Sequence, residues 1–465
     1  MEMEEARKIV RELVARSKAA QNQIKDYSQE QVDRLVKICG RVIYDNAEIL
    51  AQEAVEEGKL GNVPDKIGKM KNSTSIAYQF LKDKKTVGII GFEENGTVAN
   101  VAKPIGVIGC LIPSTNPTST VGGNGMYALK CRDSIIFSVH PRTKNVSVHA
   151  VNLVREALKA AGEPEDLFIV IEQPSMETTQ ALMQESDVVV ATGGPAMVKS
   201  AYSSGRPSYG VGQGNVQMII DDDCADEYDY IAETTVASRC RDNGLPCTGE
   251  QFITFPEKDS EKVLAAFEKA GAYVIRDPEI AEKVRNGLFA ITPKGAWAFN
   301  ISNVGQNIQK IAENIGIEIP EGTKSLLVAA KGPGKADLLC KEKLCPVQAY
   351  LPYKTFEEGM AYMAENLAME GAGHSAVIYS HNDEHIEKAG IELTVSRLVA
   401  NACGSTAGGN SFENGLAPTM SLGCGSWGNN SISENLSYKH LMNVTKIAYK
   451  IPDVKIPTHE EIWGD

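Results

Sequence analysis

The feature that most constrains the fold is a repeated alternation of short, wholly apolar runs with longer segments of helical spacing. Continuous apolar strands separated by helices predict a parallel sheet that is buried on both faces. In the first alternating unit these runs lie at 107–112, 134–139, 167–171 and 187–191. A second unit begins near residue 247, with predicted strands at 252–255, 325–330, 375–379 and 397–400. The chain is therefore predicted to be an α/β protein with two doubly wound domains.

This alternation divides the 465 residues into three predicted regions. Residues 1–235 are expected to form a dinucleotide-binding domain, 236–430 a catalytic domain, and 431–465 a C-terminal arm. Within the first region, an Asn-Gly pair separates two short strand-like runs, which predicts a protruding β-hairpin at about 85–103. We expect the hairpin and the arm to pack on a neighbouring copy, which gives a homodimer or a dimer of dimers.

Composition narrows the class of partner and the location. The formal net charge is −13, with 43% hydrophobic and 23% charged residues, which is typical of a soluble globular protein. The acidic balance disfavours nucleic acid and membranes as partners. No apolar run is long enough to span a membrane, and the first residues carry acids where a signal peptide needs bases. Ten cysteines without any Cys-x-x-Cys spacing indicate mostly reduced thiols. We expect a cytoplasmic protein, with a bacterial microcompartment as the alternative.

Polar loops follow the predicted strands at the edge where doubly wound sheets bind ligands. Asn116 follows the first strand, and its amide can donate to an oxyanion, although an Asn in a loop more often caps a helix. Thr192, Gly193 and Gly194 follow the fourth strand, where they either hold a phosphate or form a tight turn. The glycine loop at 210–215 is not a GxGxxG fingerprint, yet it predicts close approach by a ligand or another strand.

Other side chains offer chemistry of several kinds. Cys247 ends a polar turn, where a thiol of lowered pKa can be a nucleophile, although most cysteines are small buried residues. His374 enters a strand from a glycine turn, either as a functional imidazole or as a hydrogen-bonded turn residue. Glu342 lies between two lysines and, taken alone, is a surface acid. His381 and His385 have helical metal spacing, but no third ligand is indicated, so no metal site is predicted.

Together these segments resemble the aldehyde dehydrogenase superfamily, and specifically its CoA-acylating branch. The resemblance covers nearly the whole chain, through the segments YSQEQVD, PSTNPTST, ATGG, YGVGQGN, DNGLPCTGEQ, KEKLCP, EGAGHS and LAPTMSLGCGSWGNNSISEN. The chain is similar to the aldehyde dehydrogenase half of aldehyde–alcohol dehydrogenases and to acylating sulfoacetaldehyde dehydrogenases. YSSGRPSYGVGQGN and the C-terminal EEIWG resemble CoA-dependent succinate-semialdehyde dehydrogenases more closely.

The resemblance implies roles for single positions. Cys247 matches the nucleophile that carries the acyl group, and Asn116 matches the side-chain donor to the oxyanion. His374 matches a histidine near the acyl-transfer site, and Glu342 the acid that binds the nicotinamide ribose. The remaining positions match segments that contact the dinucleotide, NAD or NADP: Ser114, Thr115, His140, Pro141, Arg142, Thr192, Gly193, Gly194, Gly210, Val211 and Gly212.

The segment that begins at Gly210 departs from hydrolytic aldehyde dehydrogenases. Those enzymes have Glu-Leu-Gly-Gly-Lys there, and the Glu activates water. With glycine in that place, the resemblance implies slow hydrolysis and transfer of the acyl group to CoA, whose thiol has a pKa far below that of water. The missing side chain also implies room for the pantetheine arm of CoA.

The aldehyde is expected to be small. Arg239 and Arg241 lie close to Cys247 in sequence, and either can meet a distal carboxylate or sulfonate, although surface arginines on a helix are about as common. Succinate semialdehyde is favoured, with sulfoacetaldehyde and acetaldehyde or propionaldehyde as alternatives for the same chemistry. A hydrolytic aldehyde dehydrogenase and a thiol acyltransferase without redox chemistry are the less favoured functions.

Overall fold

The computed structural model describes residues 1–293 and 295–464. Its α-helices are α1 Met3–Ile24, α2 Gln29–Asp45, α3 Ala47–Gly58, α4 Val63–Leu81, α5 Ser119–Lys130, α6 Lys144–Ala160, α7 Met176–Glu185, α8 Pro195–Tyr202, α9 Tyr228–Cys240, α10 Ser260–Ala270, α11 Pro278–Leu288, α12 Ile308–Ile315, α13 Phe356–Met369, α14 Asp383–Glu392, α15 Gly404–Ala407 and α16 His459–Trp463. Its β-strands are β1 Gly88–Glu93, β2 Val98–Pro104, β3 Val107–Leu111, β4 Ser134–Ser138, β5 Phe168–Ile171, β6 Val188–Thr192, β7 Ser208–Val211, β8 Val216–Ile220, β9 Glu250–Thr254, β10 Ala272–Ile275, β11 Phe289–Ile291, β12 Trp297–Phe299, β13 Ser325–Ala329, β14 Val347–Tyr350, β15 Gly373–Tyr379, β16 Val395–Ala400 and β17 Met442–Ala448.

The N-terminal helices cover the first sheet through amphipathic faces. Helix α2 begins at a capping box, in which Ser28 and Gln31 exchange hydrogen bonds. Its apolar stripe, which includes Leu35 and Ile43, is fully buried and belongs to the same core as Phe137 of β4. The helical spacing of these apolar residues therefore fixes which face of α2 meets the rest of the molecule.

The first sheet is parallel and has the strand order β5-β4-β3-β6-β7. The strands expected in this unit are confirmed, each within one residue of its predicted bounds. The winding direction reverses between β3 and β6, so the loops after these two strands leave toward opposite faces. Such a reversal opens a crevice at the carboxyl ends of the strands, which is where ligands bind in doubly wound sheets.

The chain leaves the first sheet earlier than expected. β7 is the last strand of that sheet, whereas β8 pairs with β9 and β15 of the second sheet. The crossing therefore lies at 212–215, and the division between the sheets falls there rather than at 235. β8 is not among the predicted strands, and apolar periodicity carries no information about which sheet a strand joins. Helix α9 also belongs to the second unit, because Ile231 and Val236 pack in one core with Phe255.

The second sheet is also parallel, with the order β10-β13-β14-β9-β8-β15-β16. The four strands expected in this unit correspond to β9, β13, β15 and β16. β8, β10 and β14 are additional, and β10 and β14, at four residues each, carry too little pattern for detection. β8 and β9 lie at the centre of the sheet, so the turn that carries Cys247 enters a central, fully buried strand.

The expected hairpin forms from β1 and β2, antiparallel, with an irregular register between Ile89 and Gly91. Its connection is not a two-residue Asn-Gly turn: Glu94 and Asn95 both adopt left-handed backbone, with φ of 49° and 53°, inside a 3-10 turn. β17 joins β2 as a third antiparallel strand of the same chain. The other edge of β17 pairs with no described strand.

The C-terminal region is more than an arm. Leu436 and Leu441 are fully buried in the core of the first sheet, and Cys131 Sγ donates to the carbonyl oxygen of Tyr438 at 3.1 Å. Residues 443–464 are all exposed. The arm proper therefore begins after Leu441. Among the described residues, no helix has both the length and the apolar character needed to cross a bilayer.

Candidate active site

A cavity of about 580 Å³ is lined by loops of both sheets. The carboxyl ends of β3, β4 and β6 border it on one side, and the turn before β9 borders it on the other. The expected site residues that line it are Ser114, Thr115, Asn116, His140, Pro141, Thr192, Gly193, Gly194, Val211, Gly212, Arg241, Cys247 and Glu342. Of the expected site residues, Arg142, Gly210, Arg239 and His374 lie outside the lining.

Arg239 is buried and hydrogen-bonded to the backbone of its own chain. Its side chain is fully buried, and the guanidinium donates to backbone carbonyl oxygens of Gly244 at 3.0 Å, Gly249 at 3.3 Å and Cys345 at 2.8 Å, and also to that of Lys343. All of its donating nitrogens are therefore engaged, and Arg239 cannot meet a substrate. It braces the backbone on both sides of Cys247 instead.

Arg241 remains as the arginine that can meet a ligand. It is half-buried, it lines the cavity, and no described group accepts a hydrogen bond from its guanidinium. Arg142 is also half-buried, but its backbone N–H donates to His140 Nδ1 at 3.1 Å in the turn after β4. That bond places Arg142 beside the expected adenosine end of the cavity without bringing its side chain into the lining.

His374 is fully buried, and neither ring nitrogen has a hydrogen-bond partner among the described residues. Burial first, and the neighbouring Arg397 guanidinium second, lower the pKa of His374 to about 3. The Arg397 guanidinium donates to the His374 carbonyl oxygen at 2.7 Å. The imidazole is therefore neutral at physiological pH and, in this conformation, does not exchange protons with a ligand in the cavity.

Cys247 is partly exposed and faces the cavity. Burial raises the pKa of its thiol to about 12, with further increases from the charges of Glu342 and Cys424 and an opposing effect from Arg397. Burial, and then the charge of Glu370, raise the pKa of Glu342 to about 8. Cys247 is therefore protonated at neutral pH. A cationic group in the cavity that offsets the negative charge of Glu342 favours ionisation of the Cys247 thiol.

The glycine that keeps room beside Cys247 is Gly214, not Gly210. A Cβ at Gly210 would meet Val198 Cγ1 at 2.5 Å and Tyr202 Cε2 at 2.8 Å, so this position faces helix α8. A Cβ at Gly214 would stand 2.5 Å from the Cys247 carbonyl oxygen and 2.9 Å from the Cys247 Cβ. The expectation that a missing side chain at Gly210 leaves space at the nucleophile is therefore corrected. Of the two expected kinds of close approach, the loop makes one to another chain segment at Gly214, and Val211, Gly212 and Gly214 also line the cavity.

Asn116 presents one end of its amide to a lysine. Lys69 Nζ donates to Asn116 Oδ1 at 2.8 Å, and no described group accepts from Asn116 Nδ2. Because the side chain is half-buried and lines the cavity, its NH₂ group is available to a bound ligand. Glu342 is the only carboxylate among the described lining residues, and the described residues contain no cluster of three or more His, Cys, Asp or Glu side chains suited to a metal.

The cavity fits a dinucleotide. The turn Thr192–Gly194 lies at the reversal of winding, and Gly194 caps the first turn of helix α8. Gly194 is exposed, and a Cβ there would meet no described atom within 4 Å outside its two chain neighbours, which leaves the backbone open to a ligand. The same cavity is also lined by His140 and Pro141, which follow β4, and by Glu342 and Cys247 of the second unit.

The chain matches the model of the aldehyde dehydrogenase family over residues 3–413. The chain belongs to the aldehyde dehydrogenase family. The family and the α/β fold expected from the sequence are thereby confirmed. An acetylating aldehyde dehydrogenase from Geobacillus thermoglucosidasius has the same fold, with a TM-score of 0.91 and 35% identity over 98% of this chain and 99% of that one.

Several relatives of this aldehyde dehydrogenase have names that state an activity. A succinate-semialdehyde dehydrogenase (acetylating) from Clostridium kluyveri is 48% identical over 98% of this chain and 99% of the relative. A sulfoacetaldehyde dehydrogenase from Acholeplasma sp is 39% identical over 97% of this chain and 93% of the relative. A propionaldehyde dehydrogenase from Rhodopseudomonas palustris, solved with bound CoA and an acylated cysteine, has a TM-score of 0.82 and 26% identity, covering 94% of this chain and 96% of that one.

Sequence reasoning missed several residues of this aldehyde dehydrogenase site. Lys69 contacts Asn116 directly, and Asp242 accepts from Lys69 at 2.6 Å. The spacing of Lys66 and Lys69 on one helix face was the available signal, but lysines on a helix ordinarily indicate a solvated face. The cavity is also lined by residues of the 405–422 segment, namely Ser405, Thr406, Gly409, Asn410, Thr419, Met420 and Leu422.

Proposed function

We propose that this aldehyde dehydrogenase is CoA-acylating and converts a small aldehyde, CoA and NAD(P)⁺ reversibly to acyl-CoA and NAD(P)H. The observation that carries the proposal is that the Cys247 thiol and the Asn116 amide face one cavity in which Glu342 is the only described carboxylate. The acylating relatives and the neighbour with bound CoA and an acylated cysteine support the same chemistry.

The chain supplies a nucleophile and an oxyanion site. The Cys247 thiol loses its proton to solvent water, the thiolate forms a C–S bond to the aldehyde carbon, and the carbonyl π electron pair moves onto oxygen. Asn116 Nδ2 and the backbone N–H of Cys247 donate to that oxygen. The Thr192–Gly194 turn, His140, Pro141 and Glu342 would hold a nicotinamide dinucleotide, which would accept the hydride that leaves the former aldehyde carbon as its C=O bond re-forms. A thioester is left on Cys247, and the CoA thiolate attacks it and displaces the Cys247 thiolate.

Transfer to CoA is favoured over hydrolysis because water needs a base and a thiol needs much less help. Glu342 is the one carboxylate among the lining residues that the structure describes, and its expected role is to bind the nicotinamide ribose. Its pKa of about 8 also leaves it largely protonated at neutral pH. A released free acid instead of acyl-CoA would identify the hydrolytic alternative.

Succinate semialdehyde is the proposed substrate. Arg241 lines the cavity with an unengaged guanidinium, which suits the distal carboxylate of this aldehyde. The 48% identical relative is named for succinate semialdehyde, and the 39% identical relative for sulfoacetaldehyde, whose sulfonate has the same charge requirement. Acetaldehyde and propionaldehyde lack a distal anion, so Arg241 has no partner in them.

We also propose that the protein is a homodimer or a dimer of dimers in the cytoplasm, where the dinucleotide and CoA are supplied. The unpaired edge of β17 supports self-association. Either NAD or NADP remains compatible with the site, and Arg142, beside the expected adenosine end of the cavity, carries a charge suited to a 2′-phosphate.

The test is reduction of NAD(P)⁺ followed with and without CoA. Without CoA, we expect a burst of reduced dinucleotide equal to the enzyme concentration, because the Cys247 thioester accumulates. With CoA, turnover continues and acyl-CoA is formed. Cys247→Ala is expected to show neither burst nor turnover, and continued turnover without CoA would contradict the proposal.

The substrate is tested by Arg241→Gln. Loss of one charge-assisted contact of about 1.5–3 kcal/mol is expected to lower kcat/KM for succinate semialdehyde about 10-fold to 100-fold. The value for propionaldehyde is expected to stay the same. An equal loss for both aldehydes would remove the case for a carboxylate subsite at Arg241.

A further inference from the structure

A buried charge network joins Asn116 to the turn that precedes Cys247. Lys69 Nζ donates to Asn116 Oδ1 at 2.8 Å and to Asp242 Oδ2 at 2.6 Å. Lys66, one turn earlier on the same helix, donates to the same Asp242 oxygen at 3.0 Å. One carboxylate of the Cys247 turn therefore holds two ammonium groups of helix α4.

The position of Asp242 is set by several independent contacts. Its side chain is fully buried, its backbone N–H donates to Asp65 Oδ2 at 2.7 Å, and its Oδ1 accepts from the Asn62 N–H at 3.2 Å. Its backbone is left-handed, with φ of 48°, which a non-glycine residue keeps only where its surroundings require it. Gly61 leaves the space, since a Cβ there would stand 1.8 Å from Asp242 Oδ1.

The network decides which way the Asn116 amide faces. An ammonium group only donates hydrogen bonds, so the amide atom that meets Lys69 must be the oxygen. The NH₂ group then faces away from Lys69, where no described group accepts from it. Without the lysine, the two orientations of the amide differ little, and only one of them donates to a ligand.

We propose that Lys69, held by Asp242, is a positioning residue that keeps the Asn116 NH₂ group directed at the oxyanion. The inference rests on the proposed role of Asn116 as oxyanion donor. The ammonium charge also polarises the amide, which strengthens its N–H groups as donors. Because the oxyanion exists only during the reaction, Lys69 acts on kcat and leaves the binding of the three substrates unchanged.

Lys69→Met, Asn116→Ala and the double variant form the decisive set. Loss of one oxyanion donor costs about 100-fold to 1,000-fold in kcat, and we expect Lys69→Met to cost about 10-fold to 100-fold, with each KM unchanged. Since Lys69 acts only through Asn116, the double variant is expected to be no slower than Asn116→Ala alone. Lys71→Met is the matched control, because Lys71 lies on the same helix but pairs at the surface with Glu48.

Lys69→Arg covers the case in which the methionine variant does not fold. A guanidinium also only donates, so this variant is expected to keep kcat well above that of Asn116→Ala. Each variant is first checked by circular dichroism, and the alkylation rate of Cys247 is expected to match wild type.

The outcomes separate the two claims. A normal kcat in Asn116→Ala overturns the oxyanion role itself. If Asn116→Ala is slow, three results would each overturn the positioning role alone. They are a normal kcat in Lys69→Met, losses that multiply in the double variant, and a folded Lys69→Arg as slow as Asn116→Ala. A raised KM for one substrate in Lys69→Met also overturns it and assigns Lys69 to direct binding.

Discussion

At the scale of single residues, the reactivity of Cys247 depends on the space and the charge that its neighbours leave it. Gly214 provides the space, because any Cβ there would press on the nucleophile. Glu342 provides a charge that opposes ionisation of the thiol. The position of Gly214 beside Cys247 was not evident from the glycine loop itself, since three glycines in five residues do not reveal which one meets a neighbouring chain.

Gly214→Ala is expected to lower kcat strongly. The new Cβ, 2.5 Å from the Cys247 carbonyl oxygen, must displace the nucleophile, and a displacement of about 1 Å can cost 100-fold in rate. Steady-state formation of acyl-CoA measures the loss. Gly68→Ala in helix α4 is the control, because a Cβ there would meet nothing within 4 Å. A normal kcat in Gly214→Ala would show that the loop moves to accommodate the Cβ without displacing Cys247.

The pH dependence of Cys247 alkylation has a definite sign. The pKa of the thiol is raised to about 12, and the carboxylate of Glu342, whose own pKa is about 8, is ionised over the range in which the thiol titrates. Glu342→Gln removes that charge, so the alkylation profile should shift to lower pH. Iodoacetamide labelling of the Cys247 peptide above about pH 8 is the measurement. A profile that stays in place or moves upward would contradict the assignment.

At the scale of elements, β17 is a strand with one edge that pairs with no described strand and with exposed apolar side chains. It pairs with β2 on one side only, and its side chains Val444 and Ile447 are 42% and 39% exposed. An exposed apolar edge strand is a template for pairing with another chain. The hairpin was predictable from its turn signal, whereas the third strand was not, because the alternation in 442–448 is weak and its partner is distant in sequence.

Val444→Lys combined with Ile447→Lys is expected to shift the protein toward the monomer. Two ammonium groups at the edge of β17 disfavour strand pairing between copies. Sedimentation velocity gives the distribution of species. Ile391→Lys, on helix α14 and 76% exposed, is the matched control and should sediment as wild type. A wild-type distribution in the double variant would place the interface elsewhere.

At the scale of the whole molecule, the C-terminal region returns to the core that the N-terminal helices and the first sheet build. Leu436 and Leu441 are fully buried there, although they follow all of the second sheet in sequence. Apolar alternation predicted both sheets and nearly all strands of the first one, since that signal is local. It did not predict this return or the crossing at 212–215, because both depend on contacts between distant parts of the chain.

Two truncations distinguish the buried part of this region from the exposed part. Removal of 431–465 takes Leu436 and Leu441 out of the core, and each such loss costs about 2–5 kcal/mol. We expect loss of cooperative unfolding and binding of a hydrophobic dye. Removal of 450–465 takes away residues that, at 450–464, are exposed in the single chain, so unfolding should stay cooperative and the hydrophobic dye should not bind. A cooperative transition in the longer truncation would show that the first core is complete without its C-terminal residues.

The contact between Asp242 and helix α4 has a consequence for how such proteins can recombine. Lys66 and Lys69 lie before the crossing at 212–215, and Asp242 lies after it. A chimera joined at the crossing would bring together a carboxylate and lysines inherited from different parents, and it would also place Leu436 and Leu441 of one parent in the first core of the other. Exchange of substrate specificity between members of this family by swapping the second sheet should therefore succeed only where both parents share the three charges, or where the lysines travel with the aspartate.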